Sequence, residues 1–210
     1  YEYEWADKYL IATFPSRHYN IELYPAVKRH LLSFGKERLE QTGKTYSING
    51  EKIKARKKTH NKWFETQDSI SYWEDFMRPK IIWKRIGSIL RFSYDTTGNL
   101  GLDSTCFATG QHMAYLCCIL NSLMGHYMFK DSPKTGTGDL LVSVQAIEPI
   151  LIPMNKDMEC LFENLLEEVL EHRSEETEKE INRLAFKLYD LSPAEINYIT
   201  DFVTQSQQSQ

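Results

Sequence analysis

The chain has 210 residues, 41% hydrophobic and 26% charged, which is enough to bury a core and falls in the ordinary globular range. No run of about 18 apolar residues exists, so a membrane-spanning helix is excluded on length, and the opening YEYEWADKYL lacks the basic-then-apolar order of a secretion signal. The net charge of -4 conceals a division, since residues 28–91 carry 16 Lys and Arg against 7 Asp and Glu, whereas residues 156–210 carry 5 against 13. The basic half is the one suited to a polyanion.

Residues 1–20 hold Tyr3, Trp5, Tyr9, Leu10, Ile11 and Phe14, too aromatic for a linker, and because folded-looking sequence starts at Tyr1 without Met the chain reads as a piece of something longer. Pro25 is placed at the first turn of a helix expected from Ala26 to about Glu40, with Val27, Leu31, Phe34 and Leu39 on one side. Lys28, Arg29, Lys36 and Arg38 occupy the rest, and a solvated face is the simpler reading of them than a phosphate contact.

Residues 41–62 read as a loop-rich region, with Gly43, Asn49-Gly50 and a crowd of Lys and Arg. The basic run Lys52 to Lys62 leads directly into Trp63-Phe64-Glu65-Thr66-Gln67. Cations attract phosphates, and Asn, Gln, Glu, Lys and Arg carry the donor and acceptor pairs that read base edges in a major groove. Two readings stand at this point: a duplex-reading loop, or a basic surface loop anchored by Trp63 and Phe64.

The block Pro79–Phe129 organises the rest. Ile81, Trp83 and Arg85 alternate with Lys80, Ile82, Lys84 and Ile86, the period of a strand with two different faces. Leu90, Phe92 and Tyr94 continue the alternation up to Asp95-Thr96-Thr97-Gly98-Asn99, whose residues suit a reversal with positive φ and point to a hairpin. Leu100 to Thr109 is a third extended run, Gly110 breaks it, and Met113, Leu116, Cys117, Leu120, Leu123 and Met124 recur along one apolar helix. The Gly-containing segment Lys130–Asp139 leads into an expected strand at Leu140 to Val144, so it is no phosphate-binding P-loop. Pro149 and Pro153 then keep residues 147–153 extended.

Beyond Pro153 the chain is helical and acidic, with one stripe at Leu161, Leu165, Leu166, Val169 and Leu170 and another at Ile181, Leu184, Ala185 and Leu188. Ser192-Pro193-Ala194-Glu195 is a capping box opening a last helix to about Val203, and the polar tail 204–210 is expected to fray. The fold class is therefore α+β: a small mixed or antiparallel sheet with a buried helix over residues 1–153, followed by an acidic helical subdomain over 154–210.

The sequence carries none of the familiar catalytic or metal-binding constellations. No Asp or Glu precedes a Lys by two residues, as a metal-dependent nuclease would need, and there is no HExxH, G-x-S-x-G or post-strand G-x-G-x-x-G. The histidines lack ligand spacing, His112 and His126 reading as packing groups, and Cys106, Cys117, Cys118 and Cys160 lack CxxC spacing and read as reduced thiols. A binding module is the better class than an enzyme.

Four stretches occur in a telling order: Ala12-Thr13-Phe14-Pro15, Tyr24-Pro25-Ala26-Val27-Lys28-Arg29-His30-Leu31, Arg56-Lys57-Lys58-Thr59-His60-Asn61-Lys62-Trp63-Phe64-Glu65 and Pro79-Lys80-Ile81-Ile82-Trp83-Lys84-Arg85-Ile86. Together with Leu102-Asp103-Ser104, Leu120-Asn121-Ser122 and Leu188 to Ile196, this order resembles the TaqI-like specificity domain. That domain forms the C-terminal part of adenine-specific DNA methyltransferases, including fused type IIG restriction-modification enzymes. The resemblance runs over nearly the whole chain and implies a target recognition domain that docks on double-stranded DNA beside an N-terminal methyltransferase domain of the same polypeptide.

The family's S-adenosylmethionine loop and its Asn-Pro-Pro-Tyr or -Phe segment are absent from this sequence and are expected upstream, so methyl transfer belongs to the parent and this chain holds no cofactor. On that reading Lys54, Arg56, Lys57, Lys58, Lys62, Lys80, Lys84 and Arg85 hold phosphates or guanine edges, while His60, Asn61, Glu65 and Gln67 are candidates for base reading. Trp63 and Trp83 read as sheet anchors rather than base stackers. The expected place is the cytoplasm, with no membrane partner. The alternatives are a protein-interaction module formed by the acidic helices from Lys156 onward, and an unrecognised nuclease or modification enzyme.

Overall fold

In the computed structural model, which describes residues 1–208, Pro25 does open a helix, but Gly35 ends it. Helix α1 spans Pro25–Leu32 and α2 spans Lys36–Leu39, and between them Gly35 sits at φ +86°, a left-handed conformation that breaks the expected helix in two. The region expected to be loop contains a hairpin. Strands β1 (Thr45–Ile48) and β2 (Glu51–Lys54) pair antiparallel around Asn49 and Gly50, both at positive φ, +50° and +84°. Such a two-residue turn matches strand twist, which is why Asn-Gly is its signature. These elements belong to one of two compact units, Ala6–Trp73; the other is Tyr1–Trp5 with Glu74–Gln210.

In the larger unit β3 (Lys80–Lys84) is the central strand of a three-stranded antiparallel sheet. The short β4 (Ile86–Gly87) follows it, β5 (Phe92–Asp95) and β6 (Thr105–Thr109) flank it, and Ile81 pairs with Tyr94 on one side and Ala108 on the other. The segment 95–99 therefore joins two outer strands across β3 and is not a hairpin turn, although Gly98 does take φ +79°. What shapes the turn is Asp95, whose buried carboxylate accepts bonds from the Thr97 amide and hydroxyl, the Asn99 amide and the Tyr3 hydroxyl. The fully buried Lys80 ammonium pairs with it and donates to the Phe76 carbonyl at 2.7 Å.

The other face of the sheet packs on helices. The expected single helix is again two, α3 (Met113–Asn121) and α4 (Leu123–Met128), broken at Ser122, whose hydroxyl caps α4 through the Gly125 amide. Asn121 beside it bonds both backbone groups of Phe92, accepting from its amide at 3.0 Å and donating to its carbonyl at 2.7 Å. At Gly125 an added Cβ would lie 2.3 Å from the Ile119 carbonyl oxygen, so the joint requires glycine. Strand β7 (Leu140–Leu141) pairs with β4, and α5 (Val144–Ile147) takes residues expected to be extended.

Helices α6 (Lys156–Glu171) and α7 (Glu175–Leu188) close over the same core as the sheet, and α8 (Pro193–Gln208) adds a satellite core of Phe186, Ile199 and Val203. The buried stripe of α6 is Met158, Phe162, Leu166 and Val169, with Leu161 exposed, because Phe162 meets Tyr115 edge to face at 5.2 Å. The capping box forms, Glu195 accepting from the Ser192 amide at 2.8 Å. Helix α8 continues past Val203, so the tail is helical to Gln208; the rest of it lies outside the described residues.

Replacing Lys80 with Met strands the Asp95 carboxylate in the interior and is expected to cost about 3–5 kcal/mol in urea denaturation. Burial works to raise the Asp95 carboxyl, and the bonds from Lys80, Thr97 and Tyr3 outweigh it, holding it below its ordinary value. A depressed carboxylate stabilises the fold fully above the ordinary range and loses that contribution as pH falls through its folded value. Asp95→Asn should therefore flatten the acid limb of stability against pH, and an unchanged limb would assign acid sensitivity to other groups.

Candidate nucleic-acid interface

In the Ala6–Trp73 unit, residues 55–67 follow β2 as an irregular loop with only Ala55, Phe64 and Glu65 buried. A segment so poor in apolar burial must find partners for its backbone, and here side chains supply them. Gln41, 5% exposed, donates from its amide to the Lys62 and Glu65 carbonyls at 3.1 and 2.8 Å, and accepts from the Thr59 hydroxyl at 2.6 Å. The Arg56 guanidinium donates to the Leu39 and Trp63 carbonyls, and burial draws its pKa down. Asn61 donates to the Thr66 and Gln67 carbonyls, both at 3.0 Å, while the buried Glu65 carboxylate accepts from the Lys62 amide at 2.7 Å.

Three of the residues expected to face DNA are thus turned inward. Arg56, Asn61 and Glu65 spend their polar groups on the backbone of the loop and, through Arg56, of Leu39 in α2, and they act there as scaffold. What the scaffold leaves outside is a set of lysines and a histidine. Lys54, Lys57, Lys58 and His60 are exposed and make no side-chain hydrogen bond or ion pair among the described residues. The exposed Lys62 ammonium stands 4.0 Å from Glu65 and 5.6 Å from the centre of the Phe64 ring. Gln67 is half-buried. Trp63 meets Phe64 edge to face at 5.7 Å.

In the larger unit Lys80 is removed from any contact role by its complete burial against Asp95. Lys84 and Arg85 are exposed; the Arg85 backbone is fixed by bonds with Ser104 and Val142, which leaves its side chain outward. Trp83 is an anchor, 4% exposed, donating to the Val142 carbonyl at 2.8 Å.

His112 is exposed and bonded to Glu159, whereas His126 is half-buried, its pKa lowered by that burial. Burial also pushes the Cys117 thiol up to about 12, and Cys160 is exposed. Gln41 is the residue that sequence reasoning missed. It lies in no motif, and only Thr59-x-Asn61, where the hydroxyl accepts the Asn61 amide at 3.0 Å, carried a local signal of an ordered turn.

The family described as the TaqI-like C-terminal specificity domain matches residues 26–147, from α1 through the wired loop and the sheet to α5. The chain belongs to this family. Its specificity domain serves DNA sequence recognition in restriction-modification enzymes and is not itself catalytic. The motifs at 12–15 and 188–196 lie outside the matched residues. No curated protein matches the chain. No helix among the described residues is long and apolar enough to cross a membrane.

Gln41→Ala leaves the Lys62 and Glu65 carbonyls without their donor, and a loss of about 1–3 kcal/mol is expected. Amide exchange within residues 59–66 should quicken more than that of α1 and the β1–β2 hairpin in the same unit; uniform quickening over residues 6–73 would mean that Gln41 supports the unit as a whole.

Proposed function

We propose that this specificity domain reads double-stranded DNA for a type IIG-like adenine methyltransferase, placing a target sequence before a methyltransferase domain in the same polypeptide. The observation that carries this reading is a set of exposed side chains without internal partners, Lys54 at the end of β2 and Lys57, Lys58 and His60 on a loop whose Arg56, Asn61 and Glu65 are consumed internally. Lys54, Lys57, Lys58, Lys62 and Lys84 are assigned to phosphates, because an ammonium on a flexible stem positions a duplex without selecting among bases, and Arg85 to a phosphate or a guanine edge, both of which its planar fork fits. His60 and the side chain of Gln67 are assigned to base edges. The inward-facing Arg56, Asn61 and Glu65 act indirectly, by fixing where those groups stand.

Binding energy gathered this way would help extrude the target adenine, a step costing a few kcal/mol. S-adenosylmethionine belongs to the parent's catalytic domain, and no residue of this chain is assigned to it. The place of action is the cytoplasm. Alone, the chain should bind duplexes in about the micromolar range or more weakly.

Selection from a randomised duplex library at two salt concentrations tests the reading. Enrichment of one short, adenine-containing motif is expected, and recovery of unselected sequence would contradict it. Lys57→Ala with Lys58→Ala should weaken all sequences alike and flatten the salt dependence, whereas His60→Ala should alter the selected motif.

A further inference from the structure

The β1–β2 hairpin has a face of which the proposed DNA reading uses only Lys54. Alternation along the strands places Tyr46, Ile48 and Ile53 on one side, where all three are half-buried and the Tyr46 hydroxyl donates to Glu40 at 2.6 Å. The opposite side carries two cross-strand pairs, Thr45 with Lys54 and Ser47 with Lys52, and all four residues are exposed. Neither lysine has an ion pair among the described residues. Glu51, the one acid in the hairpin, belongs by alternation to the other side. The exposed face therefore offers two ammonium groups flanked by two hydroxyls, with no carboxylate to neutralise them.

The hairpin is also a sheet of its own. Its two strands pair only with each other, yet its base is tied down, with the Ala55 amide bonded to Lys44, the Gly43 amide to Arg56 and the Arg56 amide to Glu40. A two-stranded hairpin is marginal alone in water, so these ties hold a polar face in a fixed orientation that no core packing of its own demands. The two-residue period along β2 sets Lys52 and Lys54 about 7 Å apart on one face, close enough for two ammonium groups on flexible stems to reach phosphates of one DNA strand.

We infer that the Thr45, Ser47, Lys52 and Lys54 face is a second contact surface for the duplex backbone, in which Lys52 and Lys54 meet adjacent phosphates and Thr45 and Ser47 add hydroxyl donors. It rests on the proposed DNA reading and extends it to Lys52, Ser47 and Thr45. Contacts of this kind fix register and carry no sequence information.

The test is a salt titration of duplex binding by the 210-residue chain and by Lys52→Gln/Lys54→Gln, with Lys179→Gln/Arg183→Gln on α7 as a control of equal charge change. Each phosphate contact contributes roughly 0.9 to the slope of log affinity against log salt. Loss of the two hairpin lysines should lower that slope by about two, weaken every sequence alike and leave the selected motif unchanged, while the α7 control shifts it far less. A slope lowered by only about 0.9, as Lys54 alone would give, an unchanged slope, a slope change equal to the control's, or an altered motif would overturn the inference; an unchanged slope would also withdraw Lys54 from the phosphate contacts, and the rest of the DNA reading would stand on the duplex selection. An unmutated 210-residue chain that binds no duplex at low salt would overturn both.

Discussion

A loop that buries almost no apolar surface must still satisfy its own backbone, and that requirement governs the basic region of this protein. Between residues 55 and 67 the carbonyls of Lys62, Trp63, Glu65, Thr66 and Gln67 are bonded by Gln41, Arg56 and Asn61, and the Lys62 amide is held by Glu65. Each of these side chains has the donors or acceptors that suit base reading, and each is used up before a duplex arrives. The lysines differ, since an ammonium on four methylenes gains little from a fixed internal bond and remains in solvent. The division between scaffold and contact groups follows from that difference.

The central sheet follows the same logic in reverse. There a lysine is drawn inside because a carboxylate is waiting: Asp95 gathers the amides of its own turn, and Lys80 neutralises the buried charge that results. Asn121 similarly completes the bonding of Phe92, which ties the edge strand β5 to α3. Polar groups at these two points fix which strand is central and where the helix sits against it. The apolar residues then fill the space, with Phe92, Phe129, Tyr115 and Phe162 worth roughly 1.5–3 kcal/mol each on burial.

Much of the fold was legible in the sequence, where periodicity carried it. The alternation from Lys80 to Lys84, the Pro25 helix start and the Ser192 capping box all stand where local chemistry put them. Strand order was not legible, because nothing in the reversal 95–99 tells whether β5 pairs with β6 or both flank β3. Helix breaks at Gly35 and Ser122 lay inside continuous apolar patterns that concealed them, and the β1–β2 hairpin was hidden by its lysines although Asn49-Gly50 announced it. Of the candidate site, composition pointed to the right stretch but not to its inside and outside. Whether Asn61 faces solvent depends on carbonyls five and six residues further on, a three-dimensional fact with no signature in residue type.

Hydrogen-exchange footprinting of the chain with and without a selected duplex is the most direct measurement of where DNA lies. Slowed exchange is expected within residues 45–62, along the hairpin and the lysine-bearing part of the loop, with α6 to α8 unaffected. Protection confined to residues 156–208, with 45–62 exchanging as in the free chain, would contradict the assignment of the basic loop and would make the acidic helices the docking surface.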